Sequence, residues 1–515
     1  MFLNNKYLVG RSGISRLMFT TAILLILCVI SASSVMAQGG GGVLRVAMNE
    51  PINLDPATGS NDPEILFNRT IYDYLVELTP ENIPAPNLAT NWEISPDGLT
   101  YTFDLVEGVM FHDGSDFTAA DVVYTYNRLK DVGSPALSLL GDFEVAADGD
   151  YTVVFTLTAP NADFIYGVAS RHALILSEGT QNPEAIENIN GTGPFILQEY
   201  TPGDRAVLVA NENYWVEGEP QLDGIEFYFI DNPQTQIDAL INGQVDFIFK
   251  VDVAQVPTLE NADNVTILNV PTNQHPVIRI RSDEGHLGED VRIRQAFKYA
   301  TNRQELLETV QEGYGAIGNY DPLGPGFGAF FDDSIEAYDY DPAQACALIQ
   351  EATGEDRLYS EFYVVDAFNY EALAVALQNQ WEQACIDVDI IMRPENIYYG
   401  DNEWMEVDLG ITGWGDRPVP QGYFNEAHIS GSCCNEAHWV DEEVDALVAQ
   451  AGITADPEAR AAIYSQLAQI FRDRGATIYP WFASVIGAVN NDVEGLVMHP
   501  FPGQTDFRGV RLNGE

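Results

Sequence analysis

Residues 91–129 read NWEISPDGLTYTFDLVEGVMFHDGSDFTAADVVYTYNRL. Trp92 to Ile94 and Tyr101 to Leu105 alternate apolar and polar residues, the pattern of half-buried strands that turn successive side chains to core and to solvent. Between them Ser95-Pro96-Asp97-Gly98 supplies turn chemistry, since proline presets φ, aspartate bonds back to the chain and glycine accepts a positive φ. A hairpin is predicted, with a second turn at His112-Asp113-Gly114. Thr118, with Asp121 three residues on, predicts a capping box opening a helix whose apolar face begins at Val122 and Val123, because side-chain oxygens there accept from amides the helix leaves unpaired. The stretch is one compact unit with no catalytic motif. His112 beside two turn formers reads as a structural histidine in preference to an acid or a ligand.

Strands and helices continue in both directions. Gly39 to Gly42 read as a flexible leader before a strand at Val43 to Met48. Tyr151 to Leu157, Ala206 to Ala210, Ile225 to Ile230 and Val245 to Phe249 carry strand patterns, and Gln234 to Ile241 a helical one. A second half begins near Pro271, with a helix from Asp290 to Tyr299 that aligns Val291, Ala296, Phe297 and Ala300 on one stripe. Helices at Pro342 to Ala352, Tyr370 to Ala384, Asp441 to Ala451 and Pro457 to Arg474 alternate with strands at Phe362 to Val365, Val388 to Met392 and Leu409 to Thr412. Tyr479 to Val489 reads as a return into the first half. The alternation implies a mixed α/β core.

Four further stretches follow the first in order: Gly191-Thr192-Gly193-Pro194-Phe195 with Asn213-Tyr214-Trp215; Asp290-Val291-Arg292-Ile293-Arg294-Gln295-Ala296-Phe297; Tyr340-Asp341-Pro342-Ala343 opening a helix; and Gly413-Trp414-Gly415-Asp416. Together with 91–129 they resemble the extracytoplasmic solute-binding proteins of ABC importers, family 5, the peptide, oligopeptide and nickel class. The resemblance implies an α/β, two-lobed periplasmic-binding-protein type II fold with an extra subdomain inserted in lobe I. Transferred to this sequence, lobe I takes 38–75, 192–272 and 482–515, the insert 76–191, and lobe II 273–481.

The first 37 residues predict where the protein works. Lys6, Arg11 and Arg16 precede an apolar run from Leu17 to Ile30 and a small-residue site, Val35-Met36-Ala37, the order of a secretory signal. The apolar run falls short of the ~20 residues of a spanning helix, which favours export over an uncleaved anchor. Cys28 follows Leu27, not a small residue, so it does not look like a lipid-modified cysteine. The remaining chain is too large for a single core, so two or three domains are expected. A formal net charge of −53 disfavours nucleic acid and anionic lipid as partners. No acidic block stands out, so the charge reads as a solvated surface in preference to a cation-substrate site.

Cys346, Cys385, Cys433 and Cys434 lie beyond the leader, and in an exported chain disulfides are the expected use. Cys346 and Cys385, on two predicted helices of the same half, are the expected pair. His428, Cys433, Cys434 and His438 are close in sequence, but adjacent cysteines do not suit two tetrahedral ligand positions, so no metal site and no cofactor is expected.

The candidate ligand residues are Trp414, Gly415, Asp416 and Arg417, directly after the strand Leu409 to Thr412. Carboxyl ends of strands in α/β architectures open onto the ligand crevice. Asp416 is expected to pair with a ligand amine, as the resemblance implies, and Trp414 to pack on the ligand. Dipeptide-binding members continue this loop with acidic residues and use an arginine elsewhere in lobe II for the peptide carboxylate. Here the loop runs Arg417-Pro418-Val419-Pro420-Gln421 and no arginine occurs between Glu361 and Asp389, which leaves two readings: Arg417 takes the carboxylate, or the ligand has none.

Gly313-Tyr314-Gly315-Ala316-Ile317-Gly318 matches a dinucleotide fingerprint by letter, yet follows a helical pattern instead of a strand. No nucleophile elbow or H-E-x-x-H is present, although 77 acidic residues leave a carboxylate pair, and hence a secreted glycosidase or peptidase, as the rival class. No P-loop is present, so ATP hydrolysis falls to separate subunits. The expectation is a monomeric, non-enzymatic, exported receptor, periplasmic or at the cell surface, for a peptide, oligosaccharide or other small molecule, working with ABC transporter permease subunits.

Overall fold

A computed structural model describes residues 41–400 and 402–513. The expected signal segment lies outside them. No helix among the described residues is long and apolar enough to cross a membrane.

Two mixed sheets carry the architecture. The larger orders its strands Val265–Pro271, Ser484–Asn490, Phe247–Ile248, Val43–Met48, Gly224–Phe229, Arg205–Ala210, Phe195–Thr201. The smaller runs Ile386–Arg393, Leu358–Val365, Leu409–Trp414, His275–Ile280, Thr477–Ile478. The chain crosses between them twice, at 272–274 and at 479–483, and the crossings are bonded to each other. The Thr272 amide donates to the Ala483 carbonyl at 2.9 Å, and the Ala483 amide to the Gln274 carbonyl at 2.7 Å. A paired two-strand crossing of this kind is a natural hinge.

Residues 91–129 fold as their local chemistry predicts. Ala89–Ile94 pairs antiparallel with Thr100–Leu105, placing Trp92 opposite Phe103. The turn holds because Asp97 accepts from Ser95 Oγ at 2.6 Å and from the Leu99 amide at 3.1 Å, while Gly98 takes φ 70°. The helix Ala119–Val132 opens on the Thr118/Asp121 capping box and ends at left-handed Gly133. With Thr152–Leu157 and Phe143–Ala147 the hairpin makes a four-stranded antiparallel sheet, against which Val122 and Tyr126 bury fully. Tyr126 meets Phe155 edge-on with centroids 4.9 Å apart.

Buried Asp73 ties two of the quoted stretches together. It accepts from Thr192 Oγ1, Tyr214 OH and Trp215 Nε1, each at 3.0 Å. Gly191 and Gly193 pack so closely on the Ile71 carbonyl that a β-carbon at either would overlap it. His112 is structural, as expected, but its partners are distant in sequence: its amide bonds to Gly191 O at 2.8 Å and its Nε2 lies 3.0 Å from Gly193 O, 81 residues away.

Cys346 and Cys385 form a disulfide with Cα atoms 5.2 Å apart. Cys385 sits just past the helix Tyr370–Gln383, not on it, at a positive φ. In the glycine-rich segment 313–318, Ala316–Ile317 pairs with Trp481–Phe482, at the second crossing.

Candidate functional site

The strand Leu409–Trp414 occupies the middle of the smaller sheet and pairs with His275–Ile280, the strand entered from the first crossing. Its carboxyl end therefore opens beside the hinge, at a cavity of about 890 Å³. That volume falls in the ~300–1,000 Å³ range of small-molecule sites. The walls combine the loop from Asp416 to Glu426, the larger-sheet segments around Lys250 and Ser484, and the segment around Asp163 and His172.

Asp416 lines this cavity. The residue as a whole is half-buried, while its Oδ1 is shut off from solvent and has no hydrogen-bond partner among the described residues. Desolvation pushes its carboxyl up to about 7, against the opposing pull of the Asn273 and Arg417 amides and the Arg417 charge. A buried acceptor left unsatisfied costs free energy unless a donor arrives.

The other sequence candidates divide. Arg417 lines the cavity, but its guanidinium donates to Glu426 at 3.0 Å and lies 5.9 Å from the Trp414 ring and 5.8 Å from the Tyr423 ring. Its charge is met within its own loop by Glu426. Trp414 does not line the cavity. Its indole N–H donates to Glu436 at 3.0 Å and its ring meets Tyr423 edge-on, contacts that anchor the loop. Gly415 is likewise absent from the cavity wall, and its carbonyl accepts from Tyr423 OH at 2.8 Å.

Two residues that sequence reading missed, Tyr423 and Glu436, hold the loop in place. Tyr423 OH bridges the Gly415 and Asn273 carbonyls at 2.8 Å each, tying the loop to the first crossing. Glu436, 3 % exposed, accepts from Thr412 Oγ1 at 2.7 Å and from Trp414, and pairs with Arg279 at 2.9 Å. Burial raises the Glu436 carboxyl, and Arg279 pulls it back toward ionisation. Trp414 and Thr412 are 22 and 24 residues from Glu436 along the chain and Arg279 is farther still, with no periodic signal linking them.

His428, Cys433, Cys434 and His438 do not converge. His428 Nε2 faces Tyr479 OH at 3.0 Å, and burial depresses its imidazole to about 3, whereas His438 Nε2 faces the Met405 carbonyl at 2.8 Å. Cys433 and Cys434 are unbridged thiols with Sγ atoms 2.7 Å apart.

Residues 84–432 match the family model described as bacterial extracellular solute-binding proteins, family 5. The chain belongs to this family. This family 5 protein is 27 % identical over 486 residues to the dipeptide-binding protein of Escherichia coli (strain K12), covering 86 % of this chain and 89 % of that one. It is 28 % identical over 488 residues to heme-binding protein A of Haemophilus influenzae, covering 87 % and 88 %. The solved structure of HbpA2 from Haemophilus parasuis superposes with a TM-score of 0.82 at 25 % identity, over 92 % of this chain and all of that one. The fold is thus the two-lobed α/β fold of type II periplasmic binding proteins, and the protein is a solute-binding receptor.

Proposed function

We propose that this receptor binds a peptide with a free amino terminus in the cavity beside the hinge and hands it to the permease subunits of an ABC importer. The observation that carries this reading is Asp416, which lines a cavity of small-molecule size and whose buried Oδ1 has no hydrogen-bond partner among the described residues. An ammonium supplies three donors and a positive charge, which satisfies the orphan oxygen and favours its ionised form. The dipeptide-binding relative supports a peptide over an oligosaccharide.

The lobe division expected from the resemblance is part of this proposal. Strand membership supports it: the seven strands of the larger sheet fall in 38–75, 192–272 and 482–515, the five of the smaller in 273–481, and the four-stranded sheet in 76–191. The doubly bonded crossings supply the hinge on which two lobes close over the solute, which binding stabilises by touching both. The first 37 residues direct export, and the protein acts as a monomer without catalytic turnover.

Native mass spectrometry after incubation with a mixture of short random peptides tests the reading. Retained peptides with free amino termini, lost on N-acetylation and lost in Asp416→Asn, are the expected result. Retention unaffected by either change removes Asp416 from the site, and hydrolysis of the mixture replaces the receptor by an enzyme.

A further inference from the structure

Basic residues are scarce here, 24 against 77 acidic, and two beside the cavity are committed: Arg417 to Glu426 and Arg460 to Asp163. Arg171 and Lys250 are different. Both line the same cavity as Asp416, and neither has an ion-pair or hydrogen-bond partner among the described residues. In a chain with three acids for every base, two unpaired cations facing one cavity are not what a merely solvated surface produces.

Their positions follow from the topology. Lys250 comes two residues after Phe247–Ile248, a strand of the larger sheet that pairs with Ser484–Asn490, the strand leaving the second crossing. Asp416 comes two residues after Leu409–Trp414, the strand beside the one entering from the first crossing. Each sheet thus presents, from the strand next to its hinge strand, one charge of opposite sign to a shared cavity. Arg171 arrives from the segment between the helix Phe164–Val168 and the Tyr74–Leu174 bridge.

A second observation marks the same wall. His172, next to Arg171, is 4 % exposed and lines the cavity, and its Nε2 has no hydrogen-bond partner among the described residues. Burial and the neighbouring Arg171 charge depress its imidazole to about 4, so it stays neutral. Its Nδ1 lies 3.4 Å from Ser170 Oγ, and the Gly59 carbonyl opposes the depression of the imidazole. The wall also contains acids: Asp163 is taken by Arg460 and Glu426 by Arg417, whereas Asp62 and Asp252 have no ion-pair partner among the described residues.

We infer that Arg171 and Lys250 form a carboxylate-binding subsite that reads the acid end of the solute whose amine Asp416 holds. This rests on the reading of the cavity as a peptide site. It also supplies what the arginine-free run 361–389 does not, a cation for the ligand carboxylate, from Lys250 after a strand of the larger sheet and from Arg171 after the helix Phe164–Val168.

The test changes the ligand before the protein. Short random peptides with free termini and the same peptides C-terminally amidated are titrated into the full chain and into the Arg171→Gln/Lys250→Gln double variant. The subsite predicts that amidation weakens binding at least tenfold in the wild type and changes it little in the double variant. Equal binding of acid and amide to the wild type overturns the subsite and leaves the peptide reading standing. An amidation penalty undiminished in the double variant places the carboxylate elsewhere and also overturns it. Binding of neither mixture overturns the peptide reading and the subsite together.

Discussion

Arg460 Nη2 stands 2.5 Å from Asp163 Oδ1, 297 residues away in sequence, with the two side chains 2 % and 10 % exposed. Arg460 lies on the helix Pro457–Arg474, and Asp163 precedes the helix Phe164–Val168. A backbone bond from the Ala162 amide to Gly452 O at 3.0 Å runs alongside, and one apolar core continues from the four-stranded sheet into Phe327, Tyr423 and Phe471. The pair therefore clasps two parts of the molecule that chain order keeps far apart.

Removing one partner of a buried pair leaves the other charge uncompensated, whereas removing both does not. Arg460→Met is expected to lower stability by ~3–5 kcal/mol, and Asp163→Asn with Arg460→Met to recover most of that loss. Urea unfolding followed by tryptophan fluorescence reads both. A double variant as unstable as the single one would show that packing on Phe330 and Tyr464, and not charge, sets the cost.

The capping box that opens the helix Ala119–Val132 has a smaller, local value. The Thr118 amide donates to Asp121 Oδ2 at 2.7 Å, and the Thr118 side chain takes the reciprocal bond. Thr118→Ala is expected to cost ~1 kcal/mol, and Thr118→Ser little. Thermal unfolding of the two variants separates a lost cap from a disturbed turn, because only the alanine removes the oxygen.

These two sites mark what the sequence could and could not disclose. The hairpin, the cap and the turn at 95–98 rest on contacts between residues a few positions apart, so pattern and turn chemistry predict them. The hinge, the Asp73 cluster and the Arg460–Asp163 clasp depend on groups more than a hundred residues apart, which no local pattern records. At the site the strand end at Asp416 was legible because strand ends open onto crevices. The orientation of Trp414 was not, since Glu436 decides it from 22 residues away. The charges of Arg171 and Lys250 become informative only once the other bases are seen to be paired.

The disulfide between Cys346 and Cys385 closes a separation of 39 residues. Reduction or a Cys346→Ser/Cys385→Ser pair is expected to lower stability by ~2–4 kcal/mol, chiefly by loosening the unfolded chain. Alkylation of the unfolded protein before reduction should label Cys433 and Cys434, and after reduction Cys346 and Cys385 too. Intact mass counts the added groups, and labelling of Cys346 before reduction would contradict the pairing.

Glu436 supports the site from behind. Glu436→Gln keeps the shape but leaves fully buried Arg279 without its counter-charge and weakens the hold on Trp414. Lost stability of ~3–5 kcal/mol is expected, as for a broken buried pair. Peptide affinity should fall as well, although Glu436 does not line the cavity. Unchanged affinity, measured well below the melting temperature, would show that the loop carrying Asp416 needs no such anchor.

The pH dependence of Asp416 has a definite sign. In the ligand-free fold its carboxyl is raised to about 7, against ~3.9 in an unfolded chain. Between these values the folded protein holds a proton that the unfolded one has released, so this group's contribution to stability declines as pH rises from 4 to 7 and is level above. Asp416→Asn removes that cost. The stability of the variant relative to wild type should therefore grow across the same window, to on the order of 1–2 kcal/mol at pH 8, a figure discounted because the residue is half-buried. Ligand affinity runs the other way. A protonated amine needs ionised Asp416, so wild-type affinity for free-amino peptides should climb through pH 7 and fall again above ~8, where an α-amino group loses its proton. Calorimetric titrations across this range decide it: a flat profile for free-amino peptides would separate Asp416 from the ligand amine, even if the stability difference behaves as expected.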